Sequence, residues 1–195
     1  TLLKVYYKIV CNLRYFIYLC IMKKLLLLTF ILFFKTSFSQ TNLDFLLFIK
    51  INDYRTENGL SSWEWDPFIW GVSNKHTDYL VKSGYMGHRE NIDVENHNEV
   101  NGLLDRFKEK NVYNYYVCNE SISVGENVLV FLPGDDPIEV VAKNMLQMWI
   151  DSPPHNQTLL NPDYTHGSVS CLKGTTWNGF SGNWLYSTLN VLHYK

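Results

Sequence analysis

The sequence predicts an α+β chain folded as a three-layer α/β/α sandwich, a sheet with helices flanking it. Three observations lead there. Apolar residues recur at three- and four-residue steps in three long stretches, β-forming runs concentrate in the second half, and the length left after an N-terminal export signal suits one domain with a sizeable core.

The N-terminal forty residues carry no Asp or Glu; all nineteen acidic residues lie from Asp44 onward. Residues 1 to 21 lack a methionine and are crowded with Tyr, Leu and Ile, which reads as an extension upstream of a true start at Met22. Met22-Lys23-Lys24, the apolar run Leu25 to Phe34, and the small residues Ser37 and Ser39 before Gln40 have the order of a secretory signal peptide spanning 22 to 39. The run is about ten residues where a bilayer span needs roughly 20, so no permanent membrane anchor is expected. The domain 41–195 is expected to be secreted or periplasmic. Its eleven Lys and Arg against nineteen Asp and Glu give a net charge of −8, and no basic cluster exceeds two residues, which excludes nucleic acid as a natural partner. Only Cys118 and Cys171 follow the signal; in an oxidising compartment they either form one disulfide or stay as two buried thiols, and spacing does not decide.

Leu43, Leu46, Leu47, Ile51 and Tyr54 define a first helix over 42–58, stopped by Asn58-Gly59. Asp66-Pro67 is a cap followed by a first-turn proline, and Ile69, Val72, His76 and Leu80 form the stripe of a second helix that Gly84 ends. Glu90 to Asn101 reads as an acid-rich loop, followed by a short amphipathic piece around Leu103, Leu104 and Phe107. Tyr113 to Val117, Ser121 to Val124 and Val128 to Leu132 have β composition, with Gly125-Glu126-Asn127 as an interruption. Pro133 to Pro137 is a turn with another cap-plus-proline start, and Ile138, Val141, Met145 and Trp149 face the core from a third helix, broken by Ser152-Pro153-Pro154. Gly167 to Leu172 and Trp184 to His193 read as two strands joined by a Gly-, Thr- and Asn-rich loop.

Taken in order, Ile51-Asn52-Asp53-Tyr54-Arg55, Gly59-Leu60, Trp65-Asp66, His76, Gly87-His88, Gly125-Glu126-Asn127, Trp149, Ser152-Pro153-Pro154-His155 and Leu159-Leu160-Asn161-Pro162 form a series that resembles the CAP family. That family comprises cysteine-rich secretory, antigen 5 and pathogenesis-related proteins, and the bacterial SCP-like branch is the most similar. The resemblance runs from about Leu43 to the C-terminus. It implies the CAP-type α/β/α sandwich, secretion, and a cavity lined by two histidines and acidic residues that binds divalent metal in some members and lipid in others. Carried over by position, His88 and His155 are the cavity histidines and Glu126 the glutamate of Gly-Glu-Asn. Where relatives place a second glutamate three residues after the tryptophan, this chain has Ser152.

Read from the residues alone, two neutral imidazoles and a carboxylate are able to bind zinc or another divalent metal and leave a position open for water. Glu126 then ligates or acts as general base. The alternative is a buried hydrogen-bonded network that holds helices to the sheet. His76, on an apolar stripe, is read as a satisfied core histidine that in the lesser case borders the cavity. Ser152 is read as a cap for the turn carrying His155, with a weak triad-like alternative. Trp149 is expected to anchor the core, Asn127 to tie down a turn after Glu126, and Tyr54-Arg55 to close the first helix; His97, His166 and His193 receive no role. The leading expectation is a non-enzymatic binding module for a lipid, peptide or cell-envelope ligand. The runner-up is a metal-dependent, peptidase-like hydrolase with His88 and His155 as ligands and Glu126 as its catalytic base.

Overall fold

Leu43, Leu47, Phe48 and Ile51 recur on one side of α1 (Phe38–Glu57) and are all buried, so the periodicity of the sequence becomes the inner face of a helix. The computed structural model describes residues 38–90, 102–109 and 122–193. The chain divides into the units Thr1–Thr41 and Asn42–Lys195, and apart from the first residues of α1 the elements belong to the second. The expected extension 1–21, the signal peptide apart from Phe38 and Ser39, the strand around Tyr113, and Cys118 lie outside the described residues.

After α1 come β1 (Glu64–Trp65), α2 (Pro67–Ser83), α3 (Leu103–Glu109), β2 (Ser123–Phe131), α4 (Ile138–Ile150), α5 (Pro153–Leu159), β3 (His166–Trp177) and β4 (Phe180–His193). Asp66 caps α2 as its residue type requires: Oδ1 accepts from the amides of Phe68 at 2.7 Å and Ile69 at 3.1 Å, and Pro67 supplies a preset first turn. Gly84, at φ 67°, ends the helix in the left-handed conformation that a side chain would oppose. At α4 the expected start differs. Pro137 itself occupies the cap position, where it has no side-chain acceptor, so no cap hydrogen bond forms.

The described strands form one mixed sheet in the order β1-β3-β4-β2, antiparallel except for the short β1–β3 pairing. Strand alternation assigns the layers. Val169, Cys171, Leu185, Leu189 and Val191 face α1, α4 and α5, with Met145 and the fully buried Trp149 at the centre of that core. The other face meets α2 and α3 through Tyr186 with Tyr79 and Leu80, and through Leu192 with Ile69, Val72 and Phe107. This is the three-layer sandwich. Between α2 and the sheet lie small hydroxyls: Ser73 Oγ donates to the Ser168 carbonyl at 3.2 Å and Asn190 Nδ2 donates to Ser73 Oγ at 3.1 Å. Small side chains let the helix approach closely, and these hydrogen bonds satisfy part of the polar surface that the approach buries, leaving Asn190 Oδ1 and Thr188 Oγ1 without a partner among the described residues.

Two strand expectations change. Gly125-Glu126-Asn127 does not interrupt β2; all three pair in register with Val191, Asn190 and Leu189 of β4. The glycine is there for space, since a Cβ at Gly125 would sit 2.8 Å from the Tyr164 hydroxyl and 2.9 Å from Val191 Cγ2. The Gly- and Thr-rich segment between the last two strands is itself strand, closed by Asn178-Gly179 with both φ angles positive, 48° and 82°. That pair fits a tight hairpin turn whose twist matches its strands.

Two buried charged groups hold α1 to the rest. Arg55 donates to the carbonyls of Ser61 at 3.0 Å, Leu159 at 2.6 Å and Asn161 at 3.0 Å, and its guanidinium stacks 4.3 Å from the centre of the Trp63 ring. Burial pushes its pKa down to about 10. Tyr54 adds a hydroxyl bond to Asn156 Oδ1 at 3.0 Å. The Tyr54-Arg55 pair thus fastens α1 to α5 rather than merely closing its own helix. Replacing Arg55 with Met keeps much of the stem but leaves three carbonyls short of a donor; we expect a loss of about 3 kcal/mol or more in urea unfolding. A loss under a third of that would show that the fork is dispensable.

Asp44 is buried and accepts from Trp70 Nε1 at 3.0 Å and from the Cys171 amide at 2.8 Å. Burial outweighs these bonds and raises its pKa to about 6 from 3.8. Between those values the folded state holds more protons than the unfolded one, so stability from this group is full below pH 4 and falls as pH rises toward 6, by up to about 3 kcal/mol. The difference in unfolding free energy between Asp44→Asn and the parent should shift in favour of the variant across that window. Parallel curves from pH 4 to 7 would refute this.

Candidate functional site

Glu126 lies inside β2, opposite Asn190 on β4, and alternation turns it toward the α2 and α3 side while its neighbour Asn127 turns toward α4 and α5. The segment after α2 carries His88 and Glu90, and α3 contributes Arg106. Four of these side chains are nearly sealed from solvent: exposure is 0% for His76, 1% for Glu90 and Arg106, and 3% for Glu126. His88 is 56% exposed and forms the open side of the group.

Both Glu126 oxygens are engaged. Oε1 lies 3.0 Å from His88 Nδ1 and 3.8 Å from His76 Nε2, while Oε2 accepts from Arg106 Nη2 at 2.5 Å. Arg106 Nη1 donates to the His88 carbonyl at 3.0 Å, so one guanidinium holds both the carboxylate and the backbone of its imidazole partner. Arg106 Nε stands 3.8 Å from Glu90 Oε1. The His76 ring lies between acceptors, with Nδ1 2.9 Å from Glu90 Oε1 and Nε2 2.9 Å from the Gly87 carbonyl. Burial raises the Glu126 carboxyl, but the His88 hydrogen bond and the charges of Arg106 and His76 outweigh it and hold the group below its ordinary value. An ionised carboxylate only accepts, so His88 Nδ1 carries the hydrogen, and in the neutral ring Nε2 is left as an acceptor.

His155 lies on α5 and is half-buried. Burial lowers its pKa, and the charge of His88 lowers it further, so the two imidazoles are within electrostatic reach. Among the described residues no hydrogen bond or ion pair joins its ring to His88 or Glu126; its carbonyl accepts from Asn127 Nδ2 at 3.0 Å. Asn127 therefore ties α5 to a strand rather than holding a turn. Ser152 occupies the N-cap of α5, yet its hydroxyl makes no cap bond. His76 is the buried, satisfied histidine expected, and it also adjoins the site through Glu126. Cys171 is buried on β3 with Sγ 3.4 Å from Ser187 Oγ, across the sheet from Glu126.

Glu90 and Arg106 are the two site residues that sequence reasoning missed. Arg106 had left a signal, since it occupies the apolar side of a short helix beside Phe107 and one turn from Leu103. A charge there requires a buried partner. Glu90 had none, because it opens an acid-rich run and its partners come from distant stretches.

These residues fit a divalent metal poorly. A ligating carboxylate offers a lone pair at about 2.0–2.2 Å, and here a guanidinium already occupies one oxygen of Glu126 and an imidazole the other. Serine at 152 supplies no second carboxylate. Among the described residues no three His, Cys, Asp or Glu side chains converge as a metal-binding group.

A sandwich of this topology, with a strand glutamate bonded to an exposed histidine and a second histidine on the helix after the prolines, defines an SCP-type domain. The chain belongs to the CAP family, described as the cysteine-rich secretory protein family, whose model matches residues 48–190. Among solved structures it is similar to an extracellular protein containing an SCP domain from Bacillus anthracis strain Ames, with 19% identity and a TM-score of 0.55 over 79% of this chain and 41% of that one. It is also similar to an outer surface protein from Borrelia burgdorferi, with 15% identity and a TM-score of 0.51 over 76% of this chain and 90% of that one. The chain thus spans less than half of the Bacillus protein and most of the Borrelia one. No curated protein matches it.

Glu126→Gln keeps the shape of the side chain and removes its charge, leaving Arg106 buried without its nearest counterion; we expect a loss of about 3–5 kcal/mol in chemical denaturation at pH 7. Because the folded pKa lies below the unfolded one, this contribution is complete above about pH 4.5 and is lost as pH falls through the folded value. The variant should therefore lose less stability than the parent on acidification. Equal losses would contradict a charged Glu126.

Proposed function

We propose that this chain is an extracytoplasmic, non-enzymatic binding module, and that its ligand seat is the pocket beside His88. The observation that carries this reading is a cavity of about 230 Å³ lined by Tyr79, Leu80, Tyr85, Met86, Gly87, His88 and Arg89. Tyr85 and Met86 are half-exposed apolar side chains at its wall, and Arg89 and His88 bring cationic and hydrogen-bonding groups to the same place. The volume is below the roughly 300–1,000 Å³ of a pocket that encloses a whole drug-sized ligand, so it suits the end of a longer molecule. An apolar wall with Arg89 at its rim favours a ligand with a hydrocarbon or aromatic body and an acidic terminus, such as a fatty acyl chain or the carboxyl end of an envelope peptide. Glu126 does not repel that acid, because Arg106 neutralises it.

Extracytoplasmic placement is supported by the family's secretory character and by the order of residues 22–40. Against catalysis stand the two engaged oxygens of Glu126 and a Ser152 hydroxyl that makes no cap bond.

The test is calorimetric titration of the purified chain with long-chain fatty acids and, separately, with short acidic peptides, alongside mass spectrometry of co-purifying lipids. Binding in one arm that weakens about tenfold, near 1.4 kcal/mol, in Met86→Asp or Arg89→Glu supports the proposal and identifies the ligand class. Silence in both arms refutes it. Peptide or ester turnover lost in Glu126→Gln while circular dichroism is unchanged would instead establish the hydrolase reading.

A further inference from the structure

Among the described residues the group around Glu126 holds two carboxylates, Glu90 and Glu126, with the Arg106 guanidinium and the His76 ring between them. Arg106 is permanently charged, because a guanidinium does not deprotonate in proteins. The His76 ring faces a carboxylate on one nitrogen and a carbonyl on the other, and a ring with hydrogen on both nitrogens satisfies that pair of acceptors. All four side chains are at most 3% exposed. Buried charges persist only when paired, and among the described residues Arg106 meets Glu126 through a hydrogen bond and Glu90 at ion-pair distance, with its Nε making no hydrogen bond. Arg106 reaches into the cluster from a separate helix, and its three nitrogens face Glu126 Oε2, the His88 carbonyl and Glu90.

We propose that Arg106 is the resident cation of this site: its guanidinium takes the place a divalent metal would need between the two carboxylates, positions Glu126 against His88, and makes the domain indifferent to zinc. A dication entering the group would have to displace a buried guanidinium from a 2.5 Å contact with the carboxylate it needs. His76 and His88 offer it little, since both His76 nitrogens and His88 Nδ1 already face acceptors. Arg106 is thus a positioning residue that decides which cation the site keeps. This inference is independent of the ligand seat at Tyr85 and Met86.

The experiment has two arms. In the first, the unaltered chain is titrated with zinc chloride, followed by calorimetry and by metal content after dialysis; no stoichiometric zinc and no shift in melting temperature are expected. One zinc per chain that disappears in His88→Ala overturns the proposal, whatever the variants do. In the second, Arg106→Met retains an apolar stem while Arg106→Lys retains the charge. The methionine variant leaves two carboxylates and two imidazoles without their central cation, so it should bind zinc roughly 10-fold or more tightly than the parent and melt higher when zinc is present. The lysine variant should return to zinc indifference, a rescue that a purely structural role would not produce. A folded Arg106→Met that ignores zinc also overturns the proposal. If that variant fails to fold with or without zinc, the first arm decides.

Discussion

The interaction on which the site depends is the ion pair between Arg106 and Glu126, closed off from water on both sides. A strand covered by helices has no natural place for an acid, and burying one unpaired would cost more than most single interactions return. Once the guanidinium is present, much of the surrounding layout follows. α3 must lie over β2, the segment after α2 must bring its His88 carbonyl to the remaining nitrogen, and the imidazole ring then finds its hydrogen-bond acceptor already held. The exposed ring of His88 is therefore the outermost part of a polar assembly whose inner members never meet solvent.

A second guanidinium organises the opposite layer. Among the described residues Arg55 has no carboxylate as a hydrogen-bond partner; it serves three carbonyls and lies against the face of Trp63. Two of those carbonyls belong to the end of α5 and the turn beyond it, so the helix that carries His155 is held at its C-terminal end by Arg55 and along its length by Asn127 and Tyr54. The two histidines thus reach the same region by separate supports, one from each layer. Among the described residues no bond joins the two rings, and the charge of His88 lowers the His155 pKa after burial does.

Much of the layer structure was legible from periodicity, because helices that cover a sheet must show their apolar stripe at steps of three and four. Asp66, Pro67 and Gly84 marked the limits of α2 through backbone requirements that few other residues meet. The site was legible in part: His88 and Glu126 came from the family pattern, and the structure bonds them, while no spacing rule links residues 38 positions apart. Glycine misled in β2, since the residue type that permits a turn also permits close approach, and only the position of Tyr164 distinguishes the two. The hairpin was shortened for a related reason. Asn178-Gly179 carried the turn signal, but the glycines and threonines around it obscured strand residues on both sides.

That Asn178-Gly179 reversal has a kinetic consequence. Among the described strands it joins the two longest over the shortest loop, so their ladder closes with little chain entropy to lose. The remaining pairings, of β2 with β4 and of β1 with β3, and the charge cluster itself, require much longer loops to close first. The order of assembly then runs from a local ribbon, through docking of helices on each side, to late arrival of the residues that give the domain its chemistry. A newly made chain would possess a framework before it possessed a cleft.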